Sequence, residues 1–221
     1  MIHSTAIVSD SALIADDVEI GAYTVIGDNV EIGSGTRIDS HVVSNGPTKI
    51  GRDNHFYQFT SIGADPQDKK YAGEPTRLTI GDRNTIREYV TINIATTEDE
   101  PTSIGDDCLL MAYSHVAHNC HLGNSVIMAN SVNLAGHVHI GDFVIIGGMA
   151  AVHQFVVIGA HAFVGGMGRM TQDVPPYTKV GSSPTRPSGI NSVGLERRGF
   201  TPDQIARVKE AYRWIYRRGL R

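Results

Sequence analysis

No apolar run in this sequence is long enough to cross a membrane, so no transmembrane segment is expected. The opening residues MIHSTAIVSDSAL have neither the basic region nor the apolar core of a secretion signal. Cysteine is nearly absent: Cys108 and Cys120 are the only two. Buried free thiols fit that usage better than a disulfide and agree with a reducing compartment, so a cytoplasmic protein is expected. Aromatic residues are only 7% of the chain, against 24 glycines, a balance suited to short strands and corners. The formal net charge of −4 gives no reason to expect a nucleic-acid partner.

What the sequence does have is a period of six. From Ile104 to Met170 every sixth residue is aliphatic or Met: Ile104, Leu110, Val116, Leu122, Met128, Leu134, Ile140, Ile146, Val152, Ile158, Val164 and Met170. The same phase runs earlier through Ile2, Val8, Ile14, Ile20, Ile26, Ile32, Ile38, Ile50, Phe56 and Ile62, with Ser44 as the one early gap. Six matches neither a helix nor simple strand alternation, and it marks a solenoid.

Counting the aliphatic residue as position one, position two is often Gly or Ala, as in Ile104-Gly105, Leu122-Gly123 and Ile140-Gly141. Position five is usually small or β-branched, from Cys108 and Ser114 through Val126 and Val144 to Ala162. Each block then makes one short strand and one tight corner, with positions one and five inward. Three blocks close a triangular coil of about eighteen residues, and coils stack at roughly 4.8 Å.

Two segments interrupt the period, one between Ile62 and Ile80 and one between Ile92 and Ile104. Both are polar, contain Pro and return in phase, as loops thrown out from a corner do; such loops commonly build a binding surface. The repeat is expected to end near Met170, which divides the chain into a β-helix over 1–175 and an exit loop with a helical segment over 176–221. The helix has a readable start: Thr201 as N-cap, Pro202 at the first helical position and Gln204 completing a capping box. Ile205, Val208, Tyr212 and Ile215 fall on one face of it, suited to docking on the end of the β-helix or on a partner. From Glu196 to Arg221 eight basic residues face three acidic ones, a net +5 that leaves −9 elsewhere. A basic appendage on an acidic body suits an acidic partner or a phosphate ligand.

Histidines gather at His115, His118 and His121, with His137, His139 and His153 beyond. His118, Gly136 and Gln154 are spaced one coil apart in position three, so they should form a vertical row flanked by His137 and His153. A row of solvent-facing histidines is by itself compatible with a plain surface, with acid–base chemistry or with zinc. His115 and His121 both occupy position six on different faces, which argues against convergence with His118 on one metal.

The words GRDNHFYQFTSIG, QDKKYAGEPTRLTIGDRNTIRE, AHNC, LAGHV, IIGGMAAVHQF, IGAHAFVGG, QDVPPY and GLERRGF, in this order, make nearly the whole chain resemble the UDP-N-acetylglucosamine O-acyltransferases of lipid A biosynthesis, a branch of the hexapeptide-repeat transferases. The resemblance implies an all-β, left-handed parallel β-helix, the hand coming from the family and not from the period. It also implies transfer of a 3-hydroxyacyl group from acyl carrier protein to the glucosamine 3-hydroxyl of UDP-N-acetylglucosamine, with no cofactor of its own and no metal.

Carried over by motif, His118 of AHNC would be the general base, Asp68 of QDKKY would orient its imidazole, and Gly136 of LAGHV would offer a backbone N–H to the oxyanion. Gln67, Lys70, His137, His153, Gln154, Asn191, Arg197 and Arg198 would contact the nucleotide sugar or the phosphopantetheine arm, and Gly166 would occupy the position that limits acyl length. The family implies a homotrimer with sites between subunits and with His118 and His137 facing across the interface.

The chain departs from the family at NIATT, Asn93 to Thr97, where a His-Arg-Gly-Thr-like run is usual, and at Val193, where some members carry Glu. It also carries one long helix where relatives continue with more, which bears most on contacts to the carrier protein. Three alternatives stand beside the O-acyltransferase: an acyltransferase for a 3-amino sugar nucleotide, a zinc-dependent carbonic anhydrase-like trimer, and a non-catalytic scaffold trimer.

Overall fold

A computed structural model describes residues 1–181 and 185–217; Arg218 and Arg221 of the basic tail lie outside the described residues. Two- to four-residue strands recur from Ile7–Val8 to Thr178–Gly181 and stack into three sheets. The first face starts at Ile7–Val8, the second at Leu13–Ile14 and the third at Glu19–Ile20. Every coil visits the faces in that order and pairs in parallel register with the next coil, as in His115↔Asn133, His121↔His139 and Ile127↔Ile145.

The hexad explains the shape. In a typical strand such as Leu109–Leu110, position six faces out and position one is buried. Position five turns in at the corner, where Val126, Val132, Val138, Val144, Ala150 and Ala162 have no exposed surface. These two columns fill one continuous apolar core. Burial of one such aliphatic side chain stabilises by about 1.5–3 kcal/mol. Ser44 fills its inward place between Ile26 and Ile62, and its buried hydroxyl has no hydrogen-bond partner among the described residues.

The left-handed backbone conformation at each corner falls on position four, as at Tyr113, Asn119, His137 and Phe155 with φ of 64°, 55°, 60° and 65°. Gly at position two has a different reason. A Cβ on Gly105 would lie 2.6 Å from Asn124 Oδ1 and 2.7 Å from the Gly123 carbonyl of the next coil. Cys108 and Cys120 are buried and unpaired, and burial pushes their thiols up to about 11 and about 12.

The repeat outlasts Met170. Val174 bridges to Ile158, and Thr178–Gly181 pairs in parallel with Phe163–Val164. Arg186–Ile190 then folds back antiparallel on Thr178–Gly181. Coil pairing therefore crosses the boundary expected at 175/176, because Pro175 and Pro176 hide a corner that still delivers its next strand in register. A short helix α1, Ser192–Arg197, follows, and α2 runs over Pro202–Arg217. The expected capping box is formed: Thr201 N–H donates to Gln204 Oε1 at 2.8 Å, and Gln204 N–H donates to Thr201 Oγ1 at 3.3 Å. On α2, Tyr212 is buried while Ile215 stays 61% exposed, so only part of the apolar face packs. Among the described residues no helix is long and apolar enough to cross a membrane.

Candidate active site

Both interruptions leave from one corner, that between the first and second faces: residues 65–77 join Ser61–Ala64 to Leu78–Ile80, and residues 94–101 join Thr91–Asn93 to Thr102–Ile104. His118 stands on the same corner, one coil from the second insertion and two from the first, between His115–Val116 and His121–Leu122.

The hydrogen bonds around His118 fix its tautomer. Its Nδ1 lies 3.0 Å from Oδ1 of the buried Asn119. Asn119 Oδ1 also accepts from Thr96 N–H at 3.0 Å and from the Thr96 hydroxyl at 2.8 Å, while Asn119 Nδ2 donates to the Glu100 carbonyl at 3.0 Å and to Thr97 Oγ1. A main-chain N–H can only donate, so this amide oxygen is an acceptor and Nδ1 of His118 carries the hydrogen. Nε2 is left with its lone pair. Asp68 Oδ2 lies 3.9 Å from Nε2, too far for a hydrogen bond. The orienting bond expected from Asp68 is thus made by Asn119; Asp68 is itself held by the Lys70 N–H at 2.9 Å from its Oδ1.

Gly136 lies over the imidazole, as the spacing predicts. A Cβ there would sit 2.4 Å from His118 Cε1 and 2.5 Å from Nε2, so only glycine leaves the ring in place. Its N–H has no acceptor among the described residues. His137 meets His118 edge-on within one chain, with ring centroids 5.1 Å apart, and stacks on Phe155 at 4.8 Å. Burial, then the neighbouring His118, lowers the proton affinity of His137, and the same two causes in the same order lower that of His115. His115 is also bonded to the Thr91 hydroxyl at 2.7 Å.

The other expected residues divide between this corner and the opposite face. Gln67 and Lys70 are exposed on the first insertion, and His153 and Gln154 are exposed on the same corner as His118. Asn191, Arg197 and Arg198 lie over the third face in a groove of about 530 Å³ with Lys179, Phe163 and Val193. There the Arg198 guanidinium covers the Phe143 ring at 4.3 Å. Asn191 is tied into the fold: it caps α1 through Gly194 N–H and donates to the His161 carbonyl at 3.0 Å. Gly166 sits on the corner between the third and first faces, where a Cβ would lie 3.2 Å from the Gly148 carbonyl. The corner of His118 is opposite the third face of the prism, so one chain does not unite the two groups.

Two functional features escaped sequence reasoning. Asn119 adjoins His118 in AHNC, but its role depends on the path of the second insertion. The unusual NIATT run supplies that path: Asn93 Nδ2 donates to the Ala64 and Asp65 carbonyls at 3.2 and 2.9 Å, and Thr96 and Thr97 hold Asn119. Among the described residues, the grouping with metal-ligand spacing is Glu100, His121 and His139, which excludes His118.

Known proteins bear on this arrangement directly. Residues 173–221 match the second domain of UDP-N-acetylglucosamine O-acyltransferases, and residues 11–43 and 101–136 match the bacterial transferase hexapeptide repeat. The acyl-(acyl-carrier-protein)–UDP-N-acetylglucosamine O-acyltransferase of Herminiimonas arsenicoxydans is 55% identical over all of this chain and 84% of its own length. The chain belongs to this family. Its namesake from Halorhodospira halophila is 52% identical over all of this chain and 86% of its own. The solved structure of LpxA from Acinetobacter baumannii superposes with a TM-score of 0.97 at 46% identity, over 100% of this chain and 86% of that one. That of the Francisella novicida UDP-N-acetylglucosamine acyltransferase gives 0.98 at 44% identity, over 100% and 82%. The protein is accordingly an acyltransferase built on a left-handed parallel β-helix.

Proposed function

We propose that this acyltransferase moves a 3-hydroxyacyl group from acyl carrier protein to the glucosamine 3-hydroxyl of UDP-N-acetylglucosamine, the opening step of lipid A biosynthesis, in the cytoplasm. The observation that carries the reading is the pinned His118 ring, with Nδ1–H held by Asn119 at 3.0 Å and a bare Nε2 facing the corner. Nε2 removes the proton of the sugar 3-hydroxyl as its oxygen attacks the thioester carbonyl. Negative charge then develops on the carbonyl oxygen, which the Gly136 N–H stabilises, while Asp68 stabilises the imidazolium. Collapse breaks the carbon–sulfur bond, and the departing thiolate takes the proton back from His118. Nothing in this sequence needs a cofactor beyond the phosphopantetheine that delivers the acyl group.

The cationic groove of Lys179, Arg197 and Arg198 suits phosphate oxygens. Its position opposite the His118 corner supports a homotrimer in which a neighbour completes each site. So does a ladder of rings along the corner between the third and first faces: Tyr23, His41, Phe59, Tyr89 and Tyr113 follow one another at 5.2, 5.2, 5.1 and 4.8 Å, the first two contacts tilted and the last two stacked. Tyr113 is 59% exposed in one chain, and Met149 and Met167 extend the same column at 67% and 76%, an apolar stripe that a second and third copy would cover.

The test is acyl transfer by purified wild type and His118→Ala with a panel of 3-hydroxyacyl carrier proteins of graded length. The expected result is acylated sugar nucleotide from the wild type and a loss on the order of 10²–10⁴-fold in the folded variant. The panel also reads the space left by Gly166. Full activity in the variant overturns the base, and activity on a 3-amino acceptor alone overturns the acceptor.

A further inference from the structure

We propose that Glu100, His121 and His139 form a site for a divalent metal ion of the zinc class on the second face, separate from His118. One ligand atom from each residue lies within 4.8 Å of the others. His121 and His139 are register partners on adjacent parallel strands, with ring centroids 4.7 Å apart. Both turn Nε2 toward a single carboxylate oxygen: Glu100 Oε1 is 2.8 Å from His121 and 4.0 Å from His139. Two imidazoles and one carboxylate are the donor set that zinc takes with water in a fourth position.

The support around the ligands is of the kind metal sites need. His121 Nδ1 is bonded to the Ser103 hydroxyl at 2.7 Å, which fixes the ring and leaves Nε2 as the ligating atom. A hydroxyl both donates and accepts, so it serves equally when Nε2 gives up its hydrogen to bind metal and Nδ1 takes it. The strand register cannot slip, because Leu122 and Ile140, next along the chain, are buried on the inner side. Glu100 comes from the second insertion, and its carbonyl is held by Asn119 Nδ2 at 3.0 Å. A metal ion would pin the side chain of the residue whose backbone Asn119 already pins, and so would clamp the insertion that holds Asn119 against His118. The site is a clamp outside the reaction, and its existence does not depend on the proposed substrates.

The experiment is titration of the chelator-stripped full chain with cobalt(II), followed by d–d absorption, with a zinc competition to confirm the site. Wild type should bind one ion per chain at micromolar concentration. Glu100→Gln and His139→Ala, both at exposed side chains, should abolish the binding without altering the circular dichroism spectrum. Ser103→Ala should weaken it about tenfold, and His118→Ala should leave it intact. Absence of binding in the wild type overturns the proposal, as does binding that survives His139→Ala or that requires His118.

Discussion

Two corners of the prism, built from the same hexad, handle their backbone hydrogen bonds in opposite ways. At the corner between the second and third faces, the position-three N–H of four successive coils donates to an Asp or Asn side chain of the next. Arg52 donates to Asp82 at 2.7 Å, Asp82 to Asp106 at 2.8 Å, Asp106 to Asn124 at 2.8 Å and Asn124 to Asp142 at 2.7 Å. The glycines at position two make room for that ladder: a Cβ on Gly81 would lie 2.2 Å from Asp106 Oδ1. At the corner between the first and second faces, position three holds His118, Gly136 and Gln154, and the N–H groups of His118 and Gly136 have no acceptor among the described residues. The first corner spends its donors on cohesion between coils. The second keeps them for a ligand, and takes its order instead from two insertions.

Filling the open corner should be the most damaging way to erase the difference. Gly136→Ala puts a methyl group 2.4 Å from His118 Cε1, so the imidazole must shift by about an ångström; transfer should fall on the order of 10²-fold with the fold retained. Steady-state rates beside a thermal melt check this. Opening the closed corner should do the reverse. Asp106→Ala removes the acceptor of the Asp82 N–H, and denaturant unfolding should show a loss of about 1 kcal/mol while the rate per folded molecule is unchanged.

The smallest effect is on pH. His115 and His137 titrate below their ordinary range in the folded protein because burial disfavours their charged forms. The unfolded chain therefore takes up protons first as pH falls, and stability should decline below about pH 6.5, through the depressed folded values. Unfolding midpoints across that window should fall less steeply in His115→Gln; an unchanged slope would remove His115 from the account.

The closed corner was almost wholly legible in the sequence, because one period places its glycines, its inward aliphatics and the free thiol of Cys108. Stacking of Gly136 on His118 was legible for the same reason: coils repeat in register, so arithmetic on the chain is geometry in space. What escaped lies where the period does not reach. The partner of His118 Nδ1 could not be read, since the left-handed backbone at Asn119 aims its amide at Thr96 on an insertion whose path no repeat dictates. The meeting of Glu100 with His121 and His139 escaped for that reason also. The last parallel strand, Thr178–Gly181, was hidden by Pro175 and Pro176, whose composition reads as an exit although Val174 still bridges Ile158. Interpreting Asp68 as the orienting group followed from motif alone, and its Oδ2 lies 3.9 Å from Nε2, beyond hydrogen-bond reach.

The most direct test of the central claim is the tautomer of His118, read by nitrogen-15 NMR of histidine-labelled protein at a pH above the imidazole titration, with His118→Gln used to assign the signal. The account predicts hydrogen on Nδ1 and a bare Nε2, and a disturbed pattern in Asn119→Ala. A His118 ring with its hydrogen on Nε2 would contradict it, because the atom turned to the open corner would then have no lone pair with which to take a proton.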